Sequence, residues 1–155
     1  MSAEVCILGV DPGGSGAIAF YFPTYDRLTV EDMPVVGRDV DAATLAARIN
    51  QMLPTHAVVE QVASRPGQGV SSVFRFGVGY GVVLGVIVAM GIPVHLVTPA
   101  KWKKACGLDS DKEKSRALAL RHWPSRSDLF GRKKDDGRAE AALLARYYVE
   151  KVTVK

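Results

Sequence analysis

Cysteine is scarce: 155 residues carry two, Cys6 and Cys106. Two thiols build no disulfide framework, so the chain must be held by its core, and a reduced, cytoplasmic setting is expected. Histidine is nearly as scarce. His56, His95 and His122 share no ligand spacing, which leaves a zinc centre without its usual donors. The opening "MSAEVCILGV" lacks the basic flank and long apolar core of a secretory signal, so no export is indicated. There is no internal repeat and no low-complexity tract, which argues against solenoids and disordered linkers. One further absence is local: residues 76–93, "FGVGYGVVLGVIVAMGIP", contain no charged side chain.

What is present fits one globular domain over residues 1–155. The composition is 48% hydrophobic and 23% charged, and the length is sufficient for an unstapled core. Charge is unevenly distributed. Residues 1–100 hold 5 Lys/Arg against 8 Asp/Glu, and residues 101–155 hold 15 against 8. A basic second half on an acidic first half points to a face that meets a polyanion, although a solvated helical surface has the same composition.

The order of elements can be read from periodicity. "EVCILGVD", "GAIAFYF" and "RLTVEDMPVV" are apolar, β-branched runs separated by tight turns, and predict an antiparallel meander. "DVDAATLAARINQML" carries Leu45, Ala46, Ile49 and Leu53 on one face and ends at Pro54, as an amphipathic helix would. "HAVVEQV" and "IPVHLVTP" read as strands on either side of the uncharged run. "PAKWKKACG", "DKEKSRALALRHW" and "DGRAEAALLARYYVEKV" read as helices. This order implies an α/β protein with a mixed sheet flanked by helices. The uncharged run is close to the length of a membrane span. Its strand-like flanks and marginal length favour a buried helix. Gly77, Gly81 and Gly85, at four-residue spacing, would then let another backbone approach closely, within the chain or across a dimer.

Chemistry-bearing residues sit at the ends of these elements. Asp11 closes the first strand and Glu60 the fourth. A carboxylate at the end of an apolar strand is costly unless it faces a polar cleft or holds a cation. Asp136 and Glu140 lie one helical turn apart at the start of the last helix, where like charges repel unless a cation intervenes. Hard oxygen donors without a His/Cys cluster indicate Mg²⁺ or Mn²⁺, and four such carboxylates can hold two ions for phosphodiester hydrolysis. A basic rim accompanies them: Lys101, Lys103, Lys104, Lys112 and Lys114, with Lys133 and Lys134 just before the acidic pair and Arg75 in the apolar segment. Such a rim suits a phosphate backbone. Trp102 can stack on a base or serve the core.

The ordered set "GVDPG", hairpin, "VVEQV", Gly-rich apolar helix, "TPAKWKKACGL", "DKEKSRALALRHWP" and "DGRAEAALLARYY" resembles the RuvC-type Holliday-junction resolvases of the ribonuclease H-like superfamily, and their phage and prophage branch in particular. The resemblance runs through nearly the whole chain. It implies a ribonuclease H-like fold with a five-stranded mixed sheet, three antiparallel strands first. It also implies a homodimer, joined largely through the apolar helix, that cuts opposed strands of a four-way DNA junction with two Mg²⁺ or Mn²⁺ ions per site. By the same resemblance Asp11, Glu60 and Glu140 match family acids, with "AEAA" standing where the family usually shows "ADA". Asp136 is the third acid and Asp135 its second-choice alternative, because Gly137 occupies the position where RuvC carries an acidic residue or histidine. Lys112 and Lys114 fall where the family places a lysine near the scissile phosphate. The family's aromatic wedge after "EQV" is missing, which leaves Phe74 or Phe76 to open a junction. A ribonuclease H-like nuclease acting on flaps or RNA–DNA hybrids, and a silent junction-binding module, remain as alternatives. A sugar-kinase or actin-like ATPase shares the opening phrase but needs two domains. Because a strand, not a helix, follows the glycines of residues 13–16, they read as a hairpin beside Asp11 and not as a phosphate cradle.

Overall fold

The computed structural model describes residues 4–153. The strands are β1 (Ile7–Asp11), β2 (Ala17–Phe22), β3 (Arg27–Asp32), β4 (Val35–Val36), β5 (Asp39–Val40), β6 (His56–Glu60) and β7 (Val94–Val97). The helices are α1 (Ala42–Met52), α2 (Val70–Ala89), α3 (Pro99–Ala105), α4 (Lys112–His122), α5 (Ser127–Phe130) and α6 (Asp136–Tyr147). Five strands form one sheet in the order β3-β2-β1-β6-β7. The first three are antiparallel neighbours, whereas β1, β6 and β7 run parallel, so the expected mixed sheet is present.

Strand parity decides what faces what. Side chains alternate across a sheet. Cys6, Leu8 and Val10 point to the layer built by α1 and α2, together with Leu45, Ile49, Val83 and Ile87. Ile7, Gly9 and Asp11 point to the opposite layer, occupied by α6. In β6, Ala57 and Val59 join the first layer and Val58 the second, which sends Glu60 toward α6 as well. Gly9 lets α6 press onto the middle of β1: a Cβ there would collide with the Ala141 carbonyl and lie 2.9 Å from the Ala145 nitrogen.

Several elements differ from their sequence-based bounds. The third strand stops at Asp32, and Val35–Val36 instead pairs with Asp39–Val40 as a separate hairpin across the Gly37–Arg38 turn. Helix α1 starts on an Asp41 cap, whose carboxylate accepts from the Thr44 amide, but it ends at Met52. Leu53 takes a left-handed conformation (φ 52°) and is exposed, so it lies outside the apolar face. Helix α2, which takes in most of the uncharged run together with Arg75, is long and apolar enough to cross a membrane, and it is mostly exposed rather than buried against the described residues. Only Gly79, Val83 and Ile87 are buried. Among the described residues, a Cβ on Gly77, Gly81 or Gly85 would meet nothing within 4 Å, so none of them makes a close helix contact there. The two cysteines are free, with Cys6 buried under the sheet.

Candidate active site

Three of the four acids singled out in the sequence converge. Oxygens of Asp11, Glu60 and Glu140 lie within 4.8 Å of one another. The parallel register explains the first two: Val10 pairs with Val59, so Asp11 and Glu60 end adjacent strands on the same face. Glu140 lies in the second turn of α6, and its side chain is almost wholly buried.

Each of the two buried glutamates is held by one oxygen. The Trp102 indole N–H donates to Glu60 Oε2 at 2.8 Å. The Ser115 hydroxyl donates to Glu140 Oε2 at 3.1 Å, and Lys103 Nζ lies 3.1 Å from the same oxygen. Among the described residues no protein group donates a hydrogen bond to the Asp11 carboxylate. Burial, then the charges of Glu60 and Glu140, hold Asp11 well above the usual carboxylate range. Burial also raises Glu60, with the Trp102 bond opposing it and Glu140 adding to it. Three carboxylates whose oxygens lie within 4.8 Å, their charge only partly offset by Lys103 and Lys112, are a donor set that suits a hard divalent cation.

Asp136 is placed at the edge and is not part of the converging trio. Its Oδ2 lies 3.3 Å from Lys112 Nζ, which also lies 3.8 Å from Glu140 Oε1. The cation that the Asp136/Glu140 spacing demanded is therefore an ammonium from α4. Burial pulls the Lys112 pKa down, but the Glu140 and Asp136 carboxylates win and leave it raised. Gly137 is explained by crowding, since a Cβ at that position would stand 3.2 Å from Asp11 Oδ2 and 3.3 Å from the Ser15 carbonyl.

Other assignments are corrected by position. Asp135 faces away from the cluster: it accepts from the Arg132 amide at 2.8 Å and from the Arg132 guanidinium at 2.8 Å, with Arg138 3.8 Å away. Burial opposes its ionisation, but Arg132 keeps it below the usual range, so it is engaged as an internal anchor. Lys103 is not on the rim; its side chain is 14% exposed and serves Glu140. Lys114 pairs with Asp109 at the surface. Lys101, Lys104, Lys133 and Lys134 are exposed, as a rim requires. Trp102 is fully buried and cannot stack on a base. Its role, and that of Ser115, was missed in the sequence. The usable signal was that a buried indole N–H needs an acceptor, and Glu60 was the unpartnered acid nearest in fold order. Phe74 is 75% exposed, whereas the Phe76 ring packs on Gly13, 2.8 Å from where a Cβ would stand.

The sheet order, the carboxylates at the strand ends and the acidic last helix define a ribonuclease H-like fold of the RuvC type. Thermus thermophilus RuvC, solved in complex with a Holliday junction substrate, superimposes with a TM-score of 0.65 at 16% identity, covering 97% of this chain and 98% of that one. The yeast mitochondrial Holliday junction resolvase Ydc2 gives 0.57 at 15% identity, over 96% and 79% of the two chains. At the sequence level the chain is similar to the chloroplastic Holliday junction resolvase MOC1 of Chlamydomonas reinhardtii, 30% identical over 115 residues. That match covers 70% of this chain and spans 13% of the length of the relative. No family model matches.

Proposed function

We propose that this protein is a divalent-metal-dependent endonuclease that resolves four-way and other branched DNA by symmetric phosphodiester hydrolysis. The observation that carries the reading is the convergence of Asp11, Glu60 and Glu140 oxygens within 4.8 Å, with lysines at their edge. Asp11, Glu60 and Glu140 would hold one Mg²⁺ or Mn²⁺ ion, and Asp136, released from Lys112, would help hold a second. Such ions supply Lewis acidity toward the scissile phosphate and lower the pKa of bound water. The chain's own groups do the rest. Trp102 fixes the orientation of Glu60, and Ser115 with Lys103 fixes that of Glu140. Lys112 is exposed enough to reach a phosphate once its carboxylate partners bind metal. The exposed Lys101, Lys104, Lys133 and Lys134 contact the backbone.

Twofold action calls for two copies, matched to the near-twofold symmetry of a four-way junction. The exposed face of α2, with Val70, Phe74, Val78 and Val88 beside the bare Gly77/Gly81/Gly85 stripe, is the surface on which two copies would meet. Phe74 at its start is then the residue available to separate bases.

The test compares cleavage of a four-way junction, a flap and an RNA–DNA hybrid with Mg²⁺ or Mn²⁺. The junction should be cut fastest, at paired positions, and Asp11→Asn should abolish cutting while retaining junction binding. Preferred cutting of the hybrid, or binding lost with residual cutting intact, would refute the assignment.

A further inference from the structure

A cleft of about 450 Å³ opens beside the carboxylates, on the other side of the turn that carries Asp11. Its walls are Gly14 and Ser15 of that turn, Arg38 and Asp39 of the β4–β5 hairpin, and Arg75 and Phe76 of α2. The construction is tight where it meets the turn. Gly13 has φ +104° and lies under the Phe76 ring, and a Cβ on Gly14 would stand 3.1 Å from the Arg38 carbonyl. Two other elements therefore clasp the Asp11 turn, and this is why it needs two successive glycines. Gly37, at φ +62°, forms the first position of the two-residue hairpin turn that presents Arg38 at the tip.

Arg38 and Arg75 are both exposed, and among the described residues neither lies within 4.0 Å of a carboxylate. The rim lysines come from α3, α4 and the segment before α6, on the α6 side of the turn. A DNA strand with its scissile phosphate at Asp11 thus has cations on one side from those lysines. On the other side it must cross the Gly13–Ser15 turn, and the next cations it meets are these two guanidiniums.

Resting on the proposed nuclease function, we propose that the Arg38/Arg75 cleft binds a backbone phosphate of the cleaved strand next to the scissile one. The β4–β5 hairpin is then a strand-positioning arm, rigidly joined to the turn that carries Asp11. Guanidinium forks suit phosphate oxygens.

The experiment measures binding of an immobile four-way junction between 50 and 200 mM salt. Asp11→Asn serves as the parent, so that no cutting intervenes, with Arg38→Ala/Arg75→Ala added. Losing two phosphate contacts should lower the slope of log affinity against log salt by about 1.4–1.8. Reducing salt over that range should then favour the parent about tenfold more than the variant. Arg38→Lys/Arg75→Lys, which keeps both charges, should retain the slope. Lys151→Ala, exposed at the opposite end of the sheet, should leave it unchanged. Both arginines are at the surface, so melting temperatures should match the parent. An unchanged slope in the alanine variant, or a slope equally lost in the lysine variant, overturns the cleft assignment while the parent still binds junctions. A parent that binds no junction overturns the nuclease reading instead.

Discussion

Replacing Asp11 by Asn should make the metal-free protein more stable while destroying its activity. Asp11 shares a largely buried site with two glutamates whose oxygens lie within 4.8 Å. Two unit charges at that distance repel by about 3.5 kcal/mol at an effective dielectric of 20. Lys103 and Lys112 offset part of this, and solvent at the mouth screens more, so relief of about 1–3 kcal/mol is the reasonable scale. For a chain of this size each kcal/mol moves the melting temperature by about 2–4 °C, giving a rise of roughly 2–12 °C. The effect must depend on pH in one direction. The folded-state pKa of Asp11 is raised, so between the ordinary aspartate value and the raised one the native state binds more protons than the unfolded chain. Stability contributed by this group is therefore lost as pH rises through that window. The Asn variant lacks the loss, so its advantage should be small near pH 4 and full at high pH. Melting by circular dichroism from pH 4 to 9 in EDTA measures this. Adding Mg²⁺ or Mn²⁺ should then raise the parent by about 2.7 kcal/mol at a hundredfold excess over Kd and leave the variant nearly unmoved. An Asn variant that melts below the parent at pH 8 would refute the account of the site as incompletely compensated like charge.

Two other perturbations follow from named contacts. Trp102→Phe keeps the ring but removes the N–H donated to Glu60, costing about 1–2 kcal/mol in a melting experiment. It should also shift the acid limb of the pH–rate profile to higher pH, because that bond lowers the Glu60 pKa, and an unmoved limb would deny Glu60 its need to be ionised. Gly9→Ala should cost about 1–3 kcal/mol or more by driving α6 off β1, as seen in a denaturant midpoint, and should reduce metal-dependent cutting in parallel because Glu140 rides on α6.

Period-two and helical patterning, together with turn chemistry, were enough to read the meander, the later strands and the long helices, since each buries one face in a regular way. The bounds failed where tertiary contacts override local preference: Met33 and Pro34 interrupt the third strand, and Leu53 closes its helix from outside the core. The carboxylates were legible because a charged residue at the end of an apolar strand has few explanations. Choosing between Asp135 and Asp136 was not possible from spacing, because the difference lies in Arg132 and Arg138, which claim Asp135. The same holds for Lys103 and Lys112. Neighbouring basic residues in the sequence look alike, and only the packing of α3 and α4 against α6 sends one to a buried carboxylate and the other to the mouth. For a related reason the covering of the uncharged run stayed open: composition reports that a surface is apolar, not which surface covers it.

Helix α6 has a consequence for when the protein becomes active. Asp11 lies on the first strand and Glu140 on the last long helix, and Gly9 sets how closely that helix docks. Any chain in which the strands have paired but α6 has not seated holds two adjacent carboxylates without the third. Such a species has neither the donors for a tightly held ion nor the position of Lys112 fixed by Glu140. Under the proposed function, the three-carboxylate site is complete only when α6 is seated on the sheet.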